Sequence, residues 1–156
     1  MTDHFAIAKL GALDLDRAAA LHAESFGPLG ERTWTRQDLA ELIVLPGVAG
    51  LLLQVGGDDA GLAVCQVAAD EAELLTLAIR PVHRRQGGAR RLLAAVIDYV
   101  RACGARTLFL EVGVDNPAAR SLYEALGFHA VGERRAYYQR GQGPAADGVV
   151  MRLTLN

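Results

Sequence analysis

The sequence predicts an α/β protein with a mixed central sheet. Eleven segments with strand or helix spacing follow one another in the order βααβββαβαββ. The chain has 156 residues, 51% of them hydrophobic and 22% charged, so it is long enough to bury a core and too apolar to be disordered. No repeat, linker or low-complexity segment divides it, and we therefore expect one domain over residues 1–156.

The N-terminal half is predicted to supply three strands and two helices. Apolar residues at helical spacing indicate the helices, and Asp38 at the third position after the N-cap Thr35 comes close to a capping box. A Gly-Gly-Asp-Asp cluster between two apolar runs is typical of a hairpin. The predicted elements are a strand at Phe5–Lys9, a helix at Asp14–Phe26, a loop at Phe26–Trp34, a helix from Thr35 to Leu45, and hairpin strands at Val48–Val55 and Gly61–Ala69.

The C-terminal half continues with four strands and two helices. Gly104 ends the first of these helices, and the second has Asn116 as N-cap, Pro117 in its first turn and Gly127 as its stop. The predicted elements are a strand at Glu71–Ile79, a helix at Ala89–Cys103, a strand at Thr107–Val112, a helix at Asn116–Leu126, and strands at Phe128–Arg135 and Gly148–Leu155.

Composition argues against several classes of protein. A net charge of −2 does not indicate a nucleic-acid-binding surface. No N-terminal signal pattern and no apolar run long enough to span a membrane are present. Cys65 and Cys103 lie far apart in apolar surroundings, which is typical of reduced core residues in a cytoplasmic protein. The spacing of the cysteines and histidines resembles no metal site, so we expect no metal.

A basic glycine turn stands between the fourth strand and the third helix. Free N–H groups and the positive end of the helix dipole would meet at this helix start, an arrangement that binds anions such as phosphate. The turn has neither the Lys-Ser/Thr ending of a nucleoside-triphosphate loop nor a G-x-G-x-x-G pattern. A solvated, arginine-rich turn is the alternative interpretation. The residues concerned are Arg84, Arg85, Gln86, Gly87, Gly88, Ala89 and Arg90.

A second candidate site lies at the carboxyl end of the fifth strand. Glu111 is a charged residue late in an apolar strand, and Asn116 and Tyr123 are seven residues apart on one face of the next helix. Each has a structural alternative, because the glutamate could be a solvated edge carboxylate, the asparagine only an N-cap, and the tyrosine only a half-buried aromatic. Together they bring a carboxylate, an amide and a phenol near one strand end.

These segments resemble the GNAT family of N-acetyltransferases. The glycine turn matches that family's R/Q-x-x-G-x-G/A loop, and the element order is the same. The segment Leu110–Tyr138 and the ending PAADGVVMRLTL are similar to the RimI branch, which acetylates the N-terminal alanine of a small-subunit ribosomal protein. The resemblance is good from about residue 62 onward and otherwise rests on element order. It implies a single-domain GNAT fold, with helices on both faces of the sheet.

The resemblance also implies a role for each matching residue. Glu111 would be the general base, Tyr123 the general acid, and Asn116 a cofactor contact. The co-substrate would be acetyl-CoA, whose pyrophosphate would bind the Arg84–Arg90 turn. Its pantetheine arm would lie on the backbone of Leu77, Ala78 and Ile79. Tyr137 and Tyr138, expected in a loop between the last two strands, would contact the acceptor, a peptide or protein N-terminus of ribosomal origin. Neither cysteine is next to a clear base, which favours direct transfer.

Two departures from the family pattern concern the acceptor side. Gly113 stands where many relatives carry arginine, and the Phe26–Trp34 loop lacks the shorter Pro-Trp arrangement. Three hypotheses therefore remain open: N-terminal alanine acetylation, acetylation of a small-molecule amine, and a catalytically silent acyl-CoA-binding module. Glu73 is an alternative base. Glu31, Asp38 and Glu41 could attract a basic peptide, although a solvated helix face also explains the last two.

Overall fold

The computed structural model describes residues 4–29, 31–141 and 143–156, without the side chains of Ala136, Tyr138 and Gln139. Its elements alternate in the predicted order, and short 3-10 turns connect some of them. They are β1 (Phe5–Lys9), α1 (Leu15–Phe26), α2 (Arg36–Ile43), β2 (Val48–Val55), β3 (Asp58–Ala68), β4 (Glu71–Ile79), α3 (Gly88–Ala102), β5 (Thr107–Gly113), α4 (Pro117–Ala125), β6 (His129–Arg140) and β7 (Gly143–Thr154).

One sheet of seven strands has the order β1-β2-β3-β4-β5-β7-β6. The strands β4 and β5 are parallel and joined by the helix α3, whereas the other neighbours are antiparallel. The prediction of a mixed sheet is thus confirmed. The parallel pair lies in the middle of the sheet, where β4 and β5 point their carboxyl ends toward the same edge.

Strands β4 and β5 separate after a short paired stretch. Glu71–Glu73 pairs with Thr107–Phe109, and the register ends there although both strands continue. On its other side β4 has a bulge, since Val64 pairs with Thr76 and the next residue of β3 pairs with Leu74. Bulges bend a strand and re-aim its side chains. The result is a gap between the carboxyl halves of two central strands.

The two faces of the sheet bury separate cores. Helices α1 and α2 cover one face with Leu15, Ala18, Leu21 and Leu39. The other face packs against α3, whose Leu92, Leu93, Val96 and Val100 are fully buried, and against α4. Each side chain of this size contributes roughly 1.5–3 kcal/mol when it is fully buried. The expected placement of helices on both faces is confirmed.

Helix ends follow the predicted caps. Thr35 and Asp38 form a full capping box, with N–H to oxygen distances of 3.1 and 3.0 Å. Asn116 caps α4 and Pro117 occupies its first turn. Gly127 follows α4 with φ +100°, a conformation that other residues rarely adopt.

The last hairpin differs from the prediction. The sequence predicts strands at 128–135 and 148–155, but β6 and β7 each run 12 residues and stay paired as far as Arg140 and Gly143. Tyr137 and Tyr138 therefore lie in β6 and not in a loop, which corrects that expectation. The β7 half begins with a glycine, proline and alanine run of low strand propensity, so cross-strand pairing decides its structure.

The two cysteines also differ from each other. Cys65 is buried in β3 as expected, but Cys103 is exposed at the end of α3 and is not a core residue. Cys103 continues the spacing of the apolar stripe after Val96 and Val100, but it is the C-cap residue, where α3 ends. Among the described residues every helix is too short or too polar to span a lipid bilayer.

Candidate active site

The start of α3 leaves its first N–H groups uncapped by any described side chain. Gly87 occupies the N-cap position with φ +84°, and the first turn contains no acidic residue. The backbone carbonyl of Gly87 accepts from Arg91 N at 3.1 Å, so the amides of the preceding positions still point out of the helix. With the helix dipole, they form a site that favours an anion.

The two glycines of the turn meet different requirements. Gly87 needs its positive φ, and the space where a Cβ would lie is open for 4 Å. Gly88 is buried, and a Cβ there would lie 2.9 Å from Leu53 Cδ2. Packing against β2 therefore explains Gly88, and only Gly87 leaves open space where a ligand could approach the backbone.

The arginines of the turn also divide. Arg84 points back into the protein, where its Nε donates to Ile79 O at 3.1 Å and its Nη2 to Ser25 O at 3.5 Å. It thus joins the turn to β4 and α1, a structural contact that the sequence did not indicate. Arg84 nevertheless remains exposed overall, and the other exposed side chains around the helix start are Arg85, Gln86 and Arg90.

The free edge of β4 faces the gap. Arg80 N donates to Ala60 O at 2.8 Å on β3. Because backbone groups alternate along a strand, those of Leu77 and Ile79 point toward β5, which does not pair with them there. Ala78 instead turns its backbone to β3 and its side chain into the α1 core. The backbone of Leu77 and the N–H of Ile79 are therefore placed to bind an extended ligand, while Ile79 O already accepts from Arg84 Nε.

Glu111 lies on the β5 side of the gap. Leu110 and Val112 enter the core beneath α3, so alternation turns Glu111 to the face that α1 and α2 cover. Its Oε1 accepts from Arg134 Nη1 at 2.9 Å, whereas its Oε2 is buried and has no hydrogen-bond partner among the described residues. An unsatisfied buried acceptor costs roughly 1–3 kcal/mol, so this oxygen is suited to bind a donor from a ligand.

Two residues of β6, Arg134 and Tyr137, lie next to this carboxylate. The guanidinium carbon of Arg134 lies 3.8 Å from the ring centroid of Tyr137, and its side chain is 52% exposed. The hydrogen bond to Glu111 raises the pKa of Arg134 above its usual value. Tyr137 is exposed, and the side chain of its neighbour Tyr138 is outside the described part of the structure.

Tyr123 lies in α4 and Asn116 is the N-cap of that helix, on the face of the sheet that α3 also covers. Tyr123 is 7% exposed, packs 5.8 Å from the ring of Phe128, and belongs to the α3 core. Burial raises the pKa of Tyr123 to about 12. Asn116 Oδ1 accepts from Ala119 N at 3.2 Å, which is its capping contact. Glu111 and Tyr123 thus lie on opposite faces of the sheet.

His22 fixes the wall on the α1 side. Its Nδ1 accepts from Trp34 N at 3.1 Å, its Nε2 lies 3.4 Å from Thr76 Oγ1 in the bulged part of β4, and its ring stacks on Trp34 at 4.9 Å. It is 3% exposed, and burial lowers its pKa to about 4, so the ring is neutral. This buried histidine connects the segment after α1 to the gap.

Comparison with known proteins identifies the family. The acetyltransferase (GNAT) family model matches residues 15–128. The chain belongs to the GNAT family. A curated relative, the ribosomal protein bS18-alanine N-acetyltransferase of Haemophilus ducreyi, is 41% identical over 93 residues, which are 60% of this chain and 64% of that protein.

Solved GNAT structures share the whole architecture. The ribosomal-protein-S18-alanine N-acetyltransferase of Escherichia coli superposes with a TM-score of 0.88 and 33% identity over 98% of this chain and 95% of the other. The yncA structure from Salmonella typhimurium, which holds its cofactor acetyl-CoA, has a TM-score of 0.81 and 21% identity over 98% and 95% of the two chains. At that identity the second likeness concerns the fold alone.

The acidic residues suggested as peptide contacts or as an alternative base have other surroundings in this GNAT fold. Asp38 belongs to its capping box, and Glu41 accepts from Gln37 Nε2 at 2.8 Å, so both serve α2. Glu73 is exposed where β4 and β5 are still paired, away from the open gap. Among the described residues, no three His, Cys, Asp or Glu side chains converge as metal ligands would.

Two basic residues contact site residues although no sequence pattern indicates it. Arg134 contacts Glu111 from 23 residues away, and Arg140 contacts Glu31 and Asp115. Both lie in β6, whose structure depends on pairing with β7. No local pattern could identify their partners, since an ion pair between distant segments has no sequence spacing.

Proposed function

We propose that this GNAT protein transfers the acetyl group of acetyl-CoA to the α-amine of an N-terminal alanine in a ribosomal protein of the bS18 type. The observation that carries the proposal is Glu111, a carboxylate beside the β4–β5 gap with one buried oxygen unpartnered among the described residues. The names of its curated relative and of the Escherichia coli structure support the acceptor. A ribosomal acceptor implies a cytoplasmic enzyme.

The residues around the gap fit acetyl-CoA. The uncapped amides of α3, with Arg85 and Arg90 nearby, suit a pyrophosphate. The backbone of Leu77 and the N–H of Ile79 suit an amide-containing arm, as strands bind extended peptides, whereas Ile79 O already accepts from Arg84 Nε. Acetyl-CoA supplies the thioester carbon that the amine attacks. Gly87 keeps the approach to the helix start open.

Glu111 would handle the acceptor's proton. An N-terminal ammonium has a pKa of roughly 7.7–8.0, so it is partly protonated near neutrality and needs a base of modest strength. The ammonium can replace the half-exposed guanidinium of Arg134 at Oε1, or donate to Oε2 directly or through one water. Because Arg134 is half-exposed, water can take over its hydrogen bonds when the ammonium displaces it from Glu111.

Tyr123 would act as a hydrogen-bond donor to the leaving group. As the nitrogen–carbon bond forms and the carbon–sulfur bond breaks, the thiolate takes the electron pair. A thiol has a pKa of about 8.5 and Tyr123 one of about 12, so complete proton transfer is uphill by roughly 5 kcal/mol. Donating without releasing the proton stabilises the thiolate, which takes its own proton from solvent.

The β6 tyrosines would hold the acceptor backbone. Tyr137 is exposed beside Arg134, next to the carboxylate that the amine must reach, and Tyr138 follows it in the strand. Aromatic side chains offer a large contact area at low entropic cost. A peptide whose first residue lies at Glu111 would then run along β6.

A matched set of peptides tests the proposal. An Ala-Arg-Tyr peptide with a free N-terminus should be acetylated, while the same peptide with a blocked N-terminus and an added lysine should not. Mass spectrometry locates the acetyl group. Equal turnover of the blocked, lysine-containing peptide would point to side-chain amines, and turnover of a small amine alone would refute a peptide acceptor.

A further inference from the structure

Arg140 contacts two carboxylates from distant segments at once. Its Nε donates to Asp115 Oδ2 at 2.6 Å and its Nη2 to Asp115 Oδ1 at 2.8 Å, a bidentate pair. Its Nη1 lies 2.9 Å from Glu31 Oε1. We call the three residues the Arg140 bridge. Bidentate pairs between arginine and carboxylate fix geometry as well as charge.

The bridge is partly shielded from solvent. The side chains of Arg140 and Glu31 are each 17% exposed, and that of Asp115 is 44% exposed. The hydrogen bond of Asp115 is the main cause that raises the pKa of Arg140, and the pKa of Asp115 is lowered in turn. Without the guanidinium, two carboxylates would face each other, which favours separation of their segments.

The bridge joins the segments that surround the acceptor side. Glu31 begins the segment from residue 31 to 35, which we call the acceptor loop and which leads into α2. Asp115 lies between Glu111 and Asn116, in the turn from β5 to α4, and Arg140 ends β6. Val114 N donates to Asp147 O at 2.9 Å, which ties the same turn to β7.

The acceptor loop is otherwise attached mainly at its far end. Trp34 and Thr35 are fixed by His22 and the capping box, whereas Arg32 pairs with Asp38 while 81% exposed. Exposed pairs of that kind contribute little. The Glu31 contact therefore holds the beginning of the loop across to β6.

We propose that Arg140 is a positioning residue that orders the acceptor loop against β6 and the β5–α4 turn, and so sets the affinity for a peptide acceptor. This rests on the proposed peptide acetylation. It concerns the long Phe26–Trp34 connection, where the sequence departs from the usual family pattern. The bridge contacts neither the start of α3 nor the β4 backbone proposed to hold acetyl-CoA, and Asn116, which follows Asp115, keeps its own capping contact with Ala119 N, so cofactor affinity should change little.

Arg140→Gln is the primary variant. If the loop is then ordered about a tenth of the time, the KM for the peptide rises roughly ten-fold, with kcat and acetyl-CoA affinity near wild type. Arg140→Lys should recover part of the loss, since a lysine keeps the charge without the bidentate fork. Arg135→Gln, an exposed neighbour in β6, is the control.

Limited trypsin digestion gives a readout that needs no activity. Arg32 lies in the acceptor loop, so cleavage after it should be faster in Arg140→Gln and in Glu31→Gln, and unchanged in Arg135→Gln. The double variant Glu31→Gln/Arg140→Gln should be cleaved no faster than Arg140→Gln, because the contact between Glu31 and Arg140 is already lost in the single variant.

Each outcome decides. Unchanged digestion and unchanged peptide KM in Arg140→Gln overturn the proposal, as does a parallel loss of kcat and acetyl-CoA affinity, which indicates general damage. If Arg140→Gln does not fold, Glu31→Gln decides by the same two measurements. If the wild type acetylates no peptide, the proposed function fails, while the digestion pattern still supports or refutes the bridge.

Discussion

The two oxygens of Glu111 have different surroundings, and that difference is the basis of the proposed chemistry. Oε1 is held by a movable arginine, and Oε2 is buried without a partner among the described residues. Tyr123, on the opposite face of the sheet, remains protonated because burial raises its pKa to about 12. One residue is thus suited to accept a proton and the other only to donate a hydrogen bond.

Glu111→Gln should lower kcat about 10²–10⁴-fold, the usual size of general-base assistance, because an amide cannot take the amine's proton. Acetyl-CoA affinity, measured by calorimetry, should hardly change. The kinetic defect should shrink as pH rises, since more α-amine is then already free. Glu73→Gln, at the paired end of β4, is the control, and an equal loss in both variants would contradict the assignment.

Tyr123→Phe should slow turnover roughly ten- to hundred-fold, because a hydrogen bond to a charged group contributes about 1.5–3 kcal/mol. The loss should be smaller with an acetyl donor whose thiol is more acidic. Steady-state kinetics with two thioesters measures both effects. An identical loss with both donors would indicate that the phenol serves only the packing against Phe128.

At the scale of elements, two helices place the site relative to β4. The start of α3 presents free amides at the carboxyl end of β4, and α1 holds the bulged part of that strand through His22. The first arrangement depends on Gly87, which has a positive φ, and the second depends on His22, which is buried and neutral. Each can be tested separately from the chemistry.

Gly87→Val should weaken acetyl-CoA binding strongly, because a side chain would enter the open space at the α3 start. Gly57→Val is a matched control, since Gly57 has φ +85°, equally open surroundings and a place in the β2–β3 turn. Both variants should lose similar stability, about 1–2 kcal/mol for the left-handed backbone. Equal acetyl-CoA affinity in the two, by calorimetry, would exclude the proposed phosphate site.

His22 should make stability depend on pH between about 4 and 6.5. Its pKa falls from 6.5 to about 4 on folding, so the unfolded chain binds more protons there and stability is lost as pH drops. Between pH 7.5 and 5 the free energy of unfolding should fall by about 2 kcal/mol. Urea titrations of His22→Gln should show a smaller fall, whereas exposed His129→Gln should match wild type. If the free energy of unfolding of His22→Gln falls with pH as much as that of the wild type, His22 is not the cause of the pH dependence.

At the scale of the whole molecule, the cysteines lie away from the proposed transfer path. Burial in β3 raises the pKa of Cys65 to about 11, and Cys103 is exposed beyond α3. A thiol needs its thiolate to act as a nucleophile. The variant with both cysteines changed to alanine should keep most activity in a coupled thiol assay. Complete loss in a folded double variant, with acetyl-enzyme trapped in the wild type, would indicate a two-step route instead.

The features that could be predicted from the sequence are those determined by residues close together in the chain. The helix caps at Thr35 and Asn116, the strand β4 and the glycine turn all depend on residues within a few positions of one another. Glu111 and Tyr123 were identified from their positions near the end of β5, although the patterns gave no sign that they lie on opposite faces.

The features that the sequence did not predict all depend on pairing between segments that are distant in the chain. The full length of β6 and β7 depends on their register, and the contacts of Arg134 and Arg140 join segments more than 20 residues apart. Arg84 turned inward because its acceptors are carbonyls of β4 and α1, which sequence spacing does not bring together. Such partners exist only once the sheet has formed.

Glu111 is the proposed base for acetylation of a ribosomal protein's N-terminal alanine. The most direct measurement is the intact mass and N-terminal fragmentation of the ribosomal proteins from cells with this gene, without it, and with Glu111→Gln in its place. We predict one acetyl group on the N-terminal alanine of the bS18-type protein in the first cells and none in the other two. The same acetylated N-terminus in all three cultures would show that neither this protein nor its Glu111 is needed for the modification.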